Sequence, residues 1–329
     1  MMIDFRRFAS GIAAERGLAG LEPVIEKEIV HLEILRSLSE HGLLESLAFQ
    51  GGTCLRLCHG SDRFSEDLDF AAGAAFDSLD LDGFADALRD DLLRAYDVDV
   101  RVRPPKAAGG GPNGVGLRRW NVVVDTAPAR PDIPAQRIKI EIASVPARTS
   151  VVLSAIMNYP QLPSSYSQTL IRCQKLEEIA ADKLVSFSAT EGYVRHRDLW
   201  DIPWILARPE TDRAAISRLV ALKHEDYGFS QPLADMVALG RARAASVIES
   251  REFSEQMSRF LPADVFRRTV MSGDFRALML RRVDGAYADV ARDLGIEDDV
   301  EAARRRLAMR AASGGGLPSP SRSIRPRRP

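Results

Sequence analysis

Gly51-Gly52-Thr53, followed by Arg63-Phe64-Ser65-Glu66-Asp67-Leu68-Asp69-Phe70, is the stretch on which the reading of this chain turns. Asp-Leu-Asp-Phe alternates polar with apolar residues, the pattern of a half-buried strand. Successive strand side chains point to opposite faces, so Asp67 and Asp69 share one face, roughly 6–7 Å apart. Leu68 and Phe70 then face the core. Two neighbouring carboxylates repel each other unless a cation lies between them. An all-oxygen donor set suits a hard divalent ion, Mg²⁺ or Mn²⁺ in its place.

The residues around the pair extend this reading. Gly51-Gly52 predicts a tight turn that lets backbone approach a ligand closely. Thr53 is placed at the N-cap of a short helix running to about Cys58, a position that favours phosphate. Arg63 and Ser65 are candidate donors to phosphate oxygens. Farther along, Ile138-Lys139-Ile140-Glu141-Ile142 alternates cleanly, so Lys139 and Glu141 share a face and Glu141 is a candidate third carboxylate.

Composition sets the bounds. A chain of 329 residues with 45% hydrophobic residues predicts about two globular domains. The net charge of −1 gives no global attraction for nucleic acid or membrane, so an anionic partner must meet a local patch. There is no apolar run long enough to span a bilayer and no secretory pattern near Met1, which predicts a cytoplasmic protein without a membrane partner. The cysteines, Cys54, Cys58 and Cys173, form no CxxC pair and fit reduced thiols. Cys54 and Cys58, at i and i+4, read as small core residues, because a zinc site needs more ligands than they supply.

Helical spacing marks residues 21–47 (Ile25, Ile29, Leu32, Leu35, Leu38) and 77–95 (Leu79, Leu81, Phe84, Leu88, Leu92, Leu93). Strands are expected at 98–102, 120–124 and 137–145. The Gly/Pro-rich segment 104–116 reads as a hairpin connection rather than a phosphate cradle, since no helix follows it. Beyond about residue 170 the pattern is helical to about 312, which places a boundary between 150 and 172 and a linker at 158–166. Residues 313–329 are rich in Gly, Ser, Pro and Arg and predict a disordered basic tail.

Two later helical segments carry charge in unusual places. In Leu176-Glu177-Glu178-Ile179-Ala180-Ala181-Asp182-Lys183, the lysine lies on or beside the apolar face. A lysine there is ordinarily a snorkelling edge residue. In Arg195-His196-Arg197-Asp198-Leu199-Trp200-Asp201, Asp198 and Asp201 share a helix face, ordinarily a surface salt-bridge cluster. Pro203 predicts a kink or restart there.

The glycine turn and Asp-x-Asp strand resemble the minimal nucleotidyltransferase fold of the polymerase-β-like superfamily. With Lys139 to Glu141, Glu178 to Lys183 and Arg195 to Asp198 in that order, residues 25–205 resemble the AbiEii/AbiGii toxin family, which includes the MenT-type toxins. The resemblance implies an α+β chain. Residues 1–160 would be the nucleotidyltransferase domain with its N-terminal helices, a mixed sheet with helices. Residues 170–312 would be an all-α domain completing the active site. It implies Asp67 and Asp69 as metal ligands, Ser65 near the triphosphate, Lys183 on the nucleotide phosphates, and Asp198 as base or orienter.

It also implies the toxin of a toxin–antitoxin or abortive-infection system, with a cognate antitoxin as partner. The reaction implied is Mg²⁺-dependent transfer of a nucleotide from an NTP, with the tRNA 3′ end as acceptor. Transfer to a protein and a catalytically silent nucleotide-binding module remain the alternatives. A metal-dependent hydrolase is disfavoured, because none of the five histidines stands at ligand spacing. Arg195, Arg197, Lys183 and the run Arg304-Arg305-Arg306 would suit an RNA backbone, though an arginine run is ordinarily a solvated helix face.

Overall fold

The structure, a computed structural model, describes residues 4–313 apart from 78–80, 82, 106–108, 111, 129, 131 and 190–192. The expected basic tail, with Arg322, Arg325, Arg327 and Arg328, and the core candidate Leu79 lie outside the described residues. The chain divides into two compact units, Met1–Lys175 with Phe260–Ala263, and Leu176–Arg259 with Asp264–Pro329.

The first unit contains α1 (Phe5–Arg16), α2 (Glu22–Glu40), β1 (Ala48–Gln50), α3 (Gly51–Leu57), β2 (Leu68–Ala71), α4 (Phe84–Tyr96) and β3 (Asp99–Arg103). These are followed by β4 (Gly109–Gly110), β5 (Gly116–Asp125), β6 (Gln136–Ala143), β7 (Val151–Ser154) and β8 (Leu170–Cys173). One mixed sheet runs β3-β5-β6-β2-β1-β8-β7, with β4 paired to β5. β2 is parallel to β6 and antiparallel to β1, and β1 is parallel to β8. Leu68 and Phe70 of β2 are buried, and Phe70 packs on Phe49 with ring centroids 5.1 Å apart. Along β6 the odd-even pattern holds: Ile138, Ile140 and Ile142 are buried, while Lys139 is exposed and Glu141 half-buried.

The helix expected over 21–47 ends at Glu40, and it is buried on more than its apolar stripe. Glu26, Glu28, His31 and Glu33 are all buried. Each acid has local partners. Glu26 accepts from Gln136 Nε2 at 2.6 Å and Thr126 Oγ1 at 2.9 Å. Glu28 accepts from Arg56 Nε at 2.9 Å and Asn158 Nδ2 at 2.6 Å. Glu33 accepts from Tyr166 Oη at 2.6 Å. Paired acids tolerate burial that isolated ones do not.

His31 donates from Nε2 to the Glu66 carbonyl at 3.0 Å, one residue ahead of Asp67. Burial holds its pKa down to about 4, against the partial compensation of that bond and of nearby Glu28. In the unfolded chain the ring protonates near pH 6.5; in the folded chain it stays neutral to about pH 4. The unfolded state therefore binds more protons between those values, and stability falls as pH drops through that window, by up to about 3 kcal/mol. Urea unfolding from pH 7 to pH 4 should show this slope, and His31→Gln should flatten it.

Segment 158–166, expected as a linker, is packed within the first unit: Tyr159, Leu162 and Tyr166 are buried, and Tyr166 Oη lies 2.7 Å from Tyr96 Oη. The first unit runs on to Lys175 because 151–154 and 170–173 are strands of its own sheet.

The second unit is helical throughout among the described residues: α5 (Leu176–Ala189), α6 (Asp198–Ile205), α7 (Arg213–Asp226), α8 (Leu233–Ile248), α9 (Arg251–Ser258), α10 (Ala263–Arg268), α11 (Gly273–Asp293) and α12 (Glu297–Ala312). Side-chain N-caps open three of them: Asp212 accepts from Ala214 and Ala215 N–H, Ser250 from Phe253 N–H, and Ser272 from Phe275 N–H. α5 packs against α6, α7 and α8 and is buried nearly all round. α6 runs through Pro203 without a break.

Candidate active site

Gln50 is extended and Gly51 turns the chain at once into α3, at φ 77° in the left-handed region. The helix thus begins two residues before Thr53, and its N-cap is Gln50. The expected capping role of Thr53 is corrected accordingly. Because glycine admits the left-handed turn, Thr53 falls inside the first helical turn, and its hydroxyl donates to the Asp67 carbonyl. That bond ties the glycine helix to the aspartate strand.

The glycines are required by what they face. A Cβ on Gly51 would lie 2.6 Å from Asp69 Oδ2. One on Gly52 would collide with the Arg63 guanidinium and come within 2.9 Å of Ser65 Oγ. Arg63 is buried and donates from Nη1 to the Phe64 carbonyl at 2.7 Å, so it supports the turn from beneath. Gly51, Gly52, Thr53, Arg63, Ser65, Asp67 and Asp69 therefore gather at one place in the first unit. Gly51→Ala combines left-handed strain of about 1–2 kcal/mol with displacement of Asp69. It should lower kcat/KM for nucleotide transfer by at least about tenfold, with little change in circular dichroism.

Asp67 and Asp69 have different partners. Asp67 Oδ1 accepts from the Lys139 backbone N–H at 3.2 Å, and its Oδ2 lies 3.5 Å from Lys139 Nζ. Asp69 is the register partner of Gln50 on β1 and of Glu141 on β6. Glu141 is thus beside Asp69, but its carboxylate accepts from Arg119 Nε at 2.5 Å. Among the described residues, Asp67, Asp69 and Glu141 do not close as a set to within 4.8 Å of one another. The oxygen donors of Asp67 and Asp69 fit a hard divalent ion; Glu141, in register with Asp69, already has Arg119 on Oε1.

In the second unit, Lys183 is not a snorkelling edge residue. It is buried, with Nζ 3.0 Å from Asp198 Oδ1 and 2.7 Å from Asp201 Oδ2. Both aspartates are buried, so they are no surface cluster. Burial pushes the Asp198 carboxyl up, but Arg195, at 2.5 Å, and Lys183 outweigh it and hold the pKa down to about 2. The i, i+3 spacing of Asp198 and Asp201 is visible in the sequence, but the burial that joins both to Lys183 is not. A second buried pair, Lys223 with Glu178 at 2.6 Å, has no local sequence signal. The arginine run is ion-paired on a helix surface: Arg304 and Arg305 meet Glu301 at 3.3 and 3.5 Å, and Arg306 meets Asp235.

A glycine turn set against an aspartate strand in a mixed sheet, with a helical unit after it, defines a nucleotidyltransferase. The family model for the AbiEii nucleotidyl transferase toxin of type IV toxin–antitoxin systems matches residues 33–283, and the chain belongs to that family. Family membership implies an NTP substrate and an antitoxin partner. Among solved structures, MenT4, a nucleotidyltransferase toxin from Mycobacterium tuberculosis H37Rv, is 21% identical, with 92% of this chain and 98% of that chain covered and a TM-score of 0.59. JHP933 from Helicobacter pylori is 16% identical over 88% of this chain and 95% of that chain, with a TM-score of 0.39. No curated protein matches the chain. No helix among the described residues is long and apolar enough to cross a membrane.

Proposed function

We propose that this toxin moves a nucleotide from an NTP to the 3′ end of tRNA, with Mg²⁺ held by Asp67 and Asp69. The observation that carries the reading is the absence of a Cβ at Gly51 directly against Asp69 Oδ2, which lets the glycine turn and the aspartate strand lie in direct contact. When bound, the ion offsets the carboxylate repulsion and supplies positive charge for the triphosphate. Gly51 and Gly52 let Asp69, the Arg63 guanidinium and Ser65 Oγ close directly onto the backbone, which brings a carboxylate, a cation and a hydroxyl donor to one turn. Lys139, an exposed cation 3.5 Å from Asp67, orients that carboxylate.

The sequence motifs support Lys183 as the phosphate contact and Asp198 as base or orienter. The tRNA acceptor rests on the same four-motif resemblance. Arg304, Arg305 and Arg306 already have acidic partners, so that run adds no support for an RNA acceptor. The protein incubated with Mg²⁺, each α-labelled NTP in turn and total tRNA should label tRNA at its 3′ end. Label appearing in protein, or none with any NTP, would overturn the acceptor assignment.

A further inference from the structure

All three cysteines of the chain meet at one point in the first unit. Cys54 lies in α3, Cys58 follows as its C-cap, and Cys173 ends β8 opposite Phe49 of β1. Their sulfurs all lie within 4.8 Å of one another. Cys54 and Cys173 are 0% exposed and Cys58 is 7% exposed. The i, i+4 pair alone lacked ligands for a metal; the third arrives from a distant strand, which no local spacing displays.

We propose that Cys54, Cys58 and Cys173 form a thiolate site for a thiophilic divalent cation of the zinc class, separate from the Asp67–Asp69 site. Three soft donors select zinc-like or monovalent copper-like ions over Mg²⁺. Charge decides between the two: three thiolates leave a net −1 around a divalent ion and −2 around a monovalent one, and burial penalises the larger charge. Zinc–sulfur bonds of about 2.3 Å place tetrahedral ligand sulfurs about 3.8 Å apart. The cluster reaches that spacing by closing about an ångström at most. Among the described residues no histidine, carboxylate or fourth cysteine joins the group. A fourth ligand, such as water, would have to enter beside Cys58, the most exposed of the three cysteines at 7%. A bound ion would pin α3, and with it the Gly51 turn, to β8. The competing account is three small thiols filling core volume.

The full chain, purified under reductant and stripped of metal, is titrated with Co²⁺. One equivalent should produce a sulfur-to-cobalt charge-transfer band in the near ultraviolet. Zn²⁺ should bleach the band and raise the melting temperature. The band should persist in Asp67→Ala/Asp69→Ala and vanish in Cys173→Ala. If Cys173→Ala does not fold, Cys58→Ser should lower the band by at least about a third, one thiolate of the three. Absence of the band in the wild-type chain, its survival unchanged in the cysteine variants, or a mass showing two thiols joined as a disulfide in the reduced preparation would each overturn the site.

Discussion

Asp69→Ala should abolish nucleotide transfer while leaving the protein as stable as the wild type. The carboxylate is in β2 beside Glu141 in register and two residues from Asp67. Asp67 and Glu141 have cations of their own, Lys139 at 3.5 Å and Arg119 at 2.5 Å, and these pairs survive the removal of Asp69. The backbone pairing of β2 with β1 and β6 does not involve the side chain, and Phe70 and Leu68 keep the strand anchored. What is lost is the carboxylate proposed to hold the metal ion, the group that Gly51 faces. Several kcal/mol of transition-state stabilisation depend on such a ligand, so kcat/KM should fall by at least about a thousandfold. The measurement is single-turnover transfer with a labelled NTP alongside thermal melting. Growth inhibition on expression should vanish with transfer. Retained toxicity in Asp69→Ala would sink the catalytic account.

How much of this was legible depended on the range of the interactions. Asp67-Leu68-Asp69-Phe70 could be read because alternation is a two-residue signal and a strand obeys it locally. The Lys139/Glu141 face was legible for the same reason, but its pairing with β2 is a long-range fact that alternation does not carry. Thr53 was misplaced because the N-cap rule looks for a hydroxyl, whereas Gly51 starts the helix through a left-handed φ that the rule does not weigh. The burial of the α2 acids and of the Lys183 cluster is hidden from local reading for one reason. Polarity predicts exposure unless partners are supplied by distant segments, and Arg56, Asn158, Tyr166 and Asp201 supply them. The strands at 151–154 and 170–173 are four residues each, too short to outweigh the helical signal that follows. The Cys54–Cys58–Cys173 cluster is the extreme case, because two elements paired only through the sheet bring it together.

Lys183→Met should cost about 3–5 kcal/mol of stability in addition to any effect on transfer. Methionine keeps much of the volume but removes the ammonium that bridges Asp198 and Asp201, both buried. Asp198 retains Arg195 at 2.5 Å, and Asp201 loses an ammonium that stands 2.7 Å away. A carboxylate in that position must either stay charged without the ammonium or take up a proton. The pH profile carries the signature. In the folded wild type Asp198 has a pKa of about 2, below its unfolded value near 3.8. A depressed acid contributes stability above the unfolded pKa and loses it as pH falls through the folded one. The wild type should therefore lose stability between about pH 4 and pH 2, and Lys183→Met should lose less there because it has less to lose. Neutralising the partners separates packing from chemistry. Lys183→Met/Asp198→Asn/Asp201→Asn should recover most of the lost stability, since a buried charge set replaced by neutral groups of similar volume is often tolerated. If transfer stays lost in that restored protein, these charges act in the reaction. If transfer returns with stability, the cluster serves only to hold α5 and α6 together, and Lys183 and Asp198 leave the catalytic set.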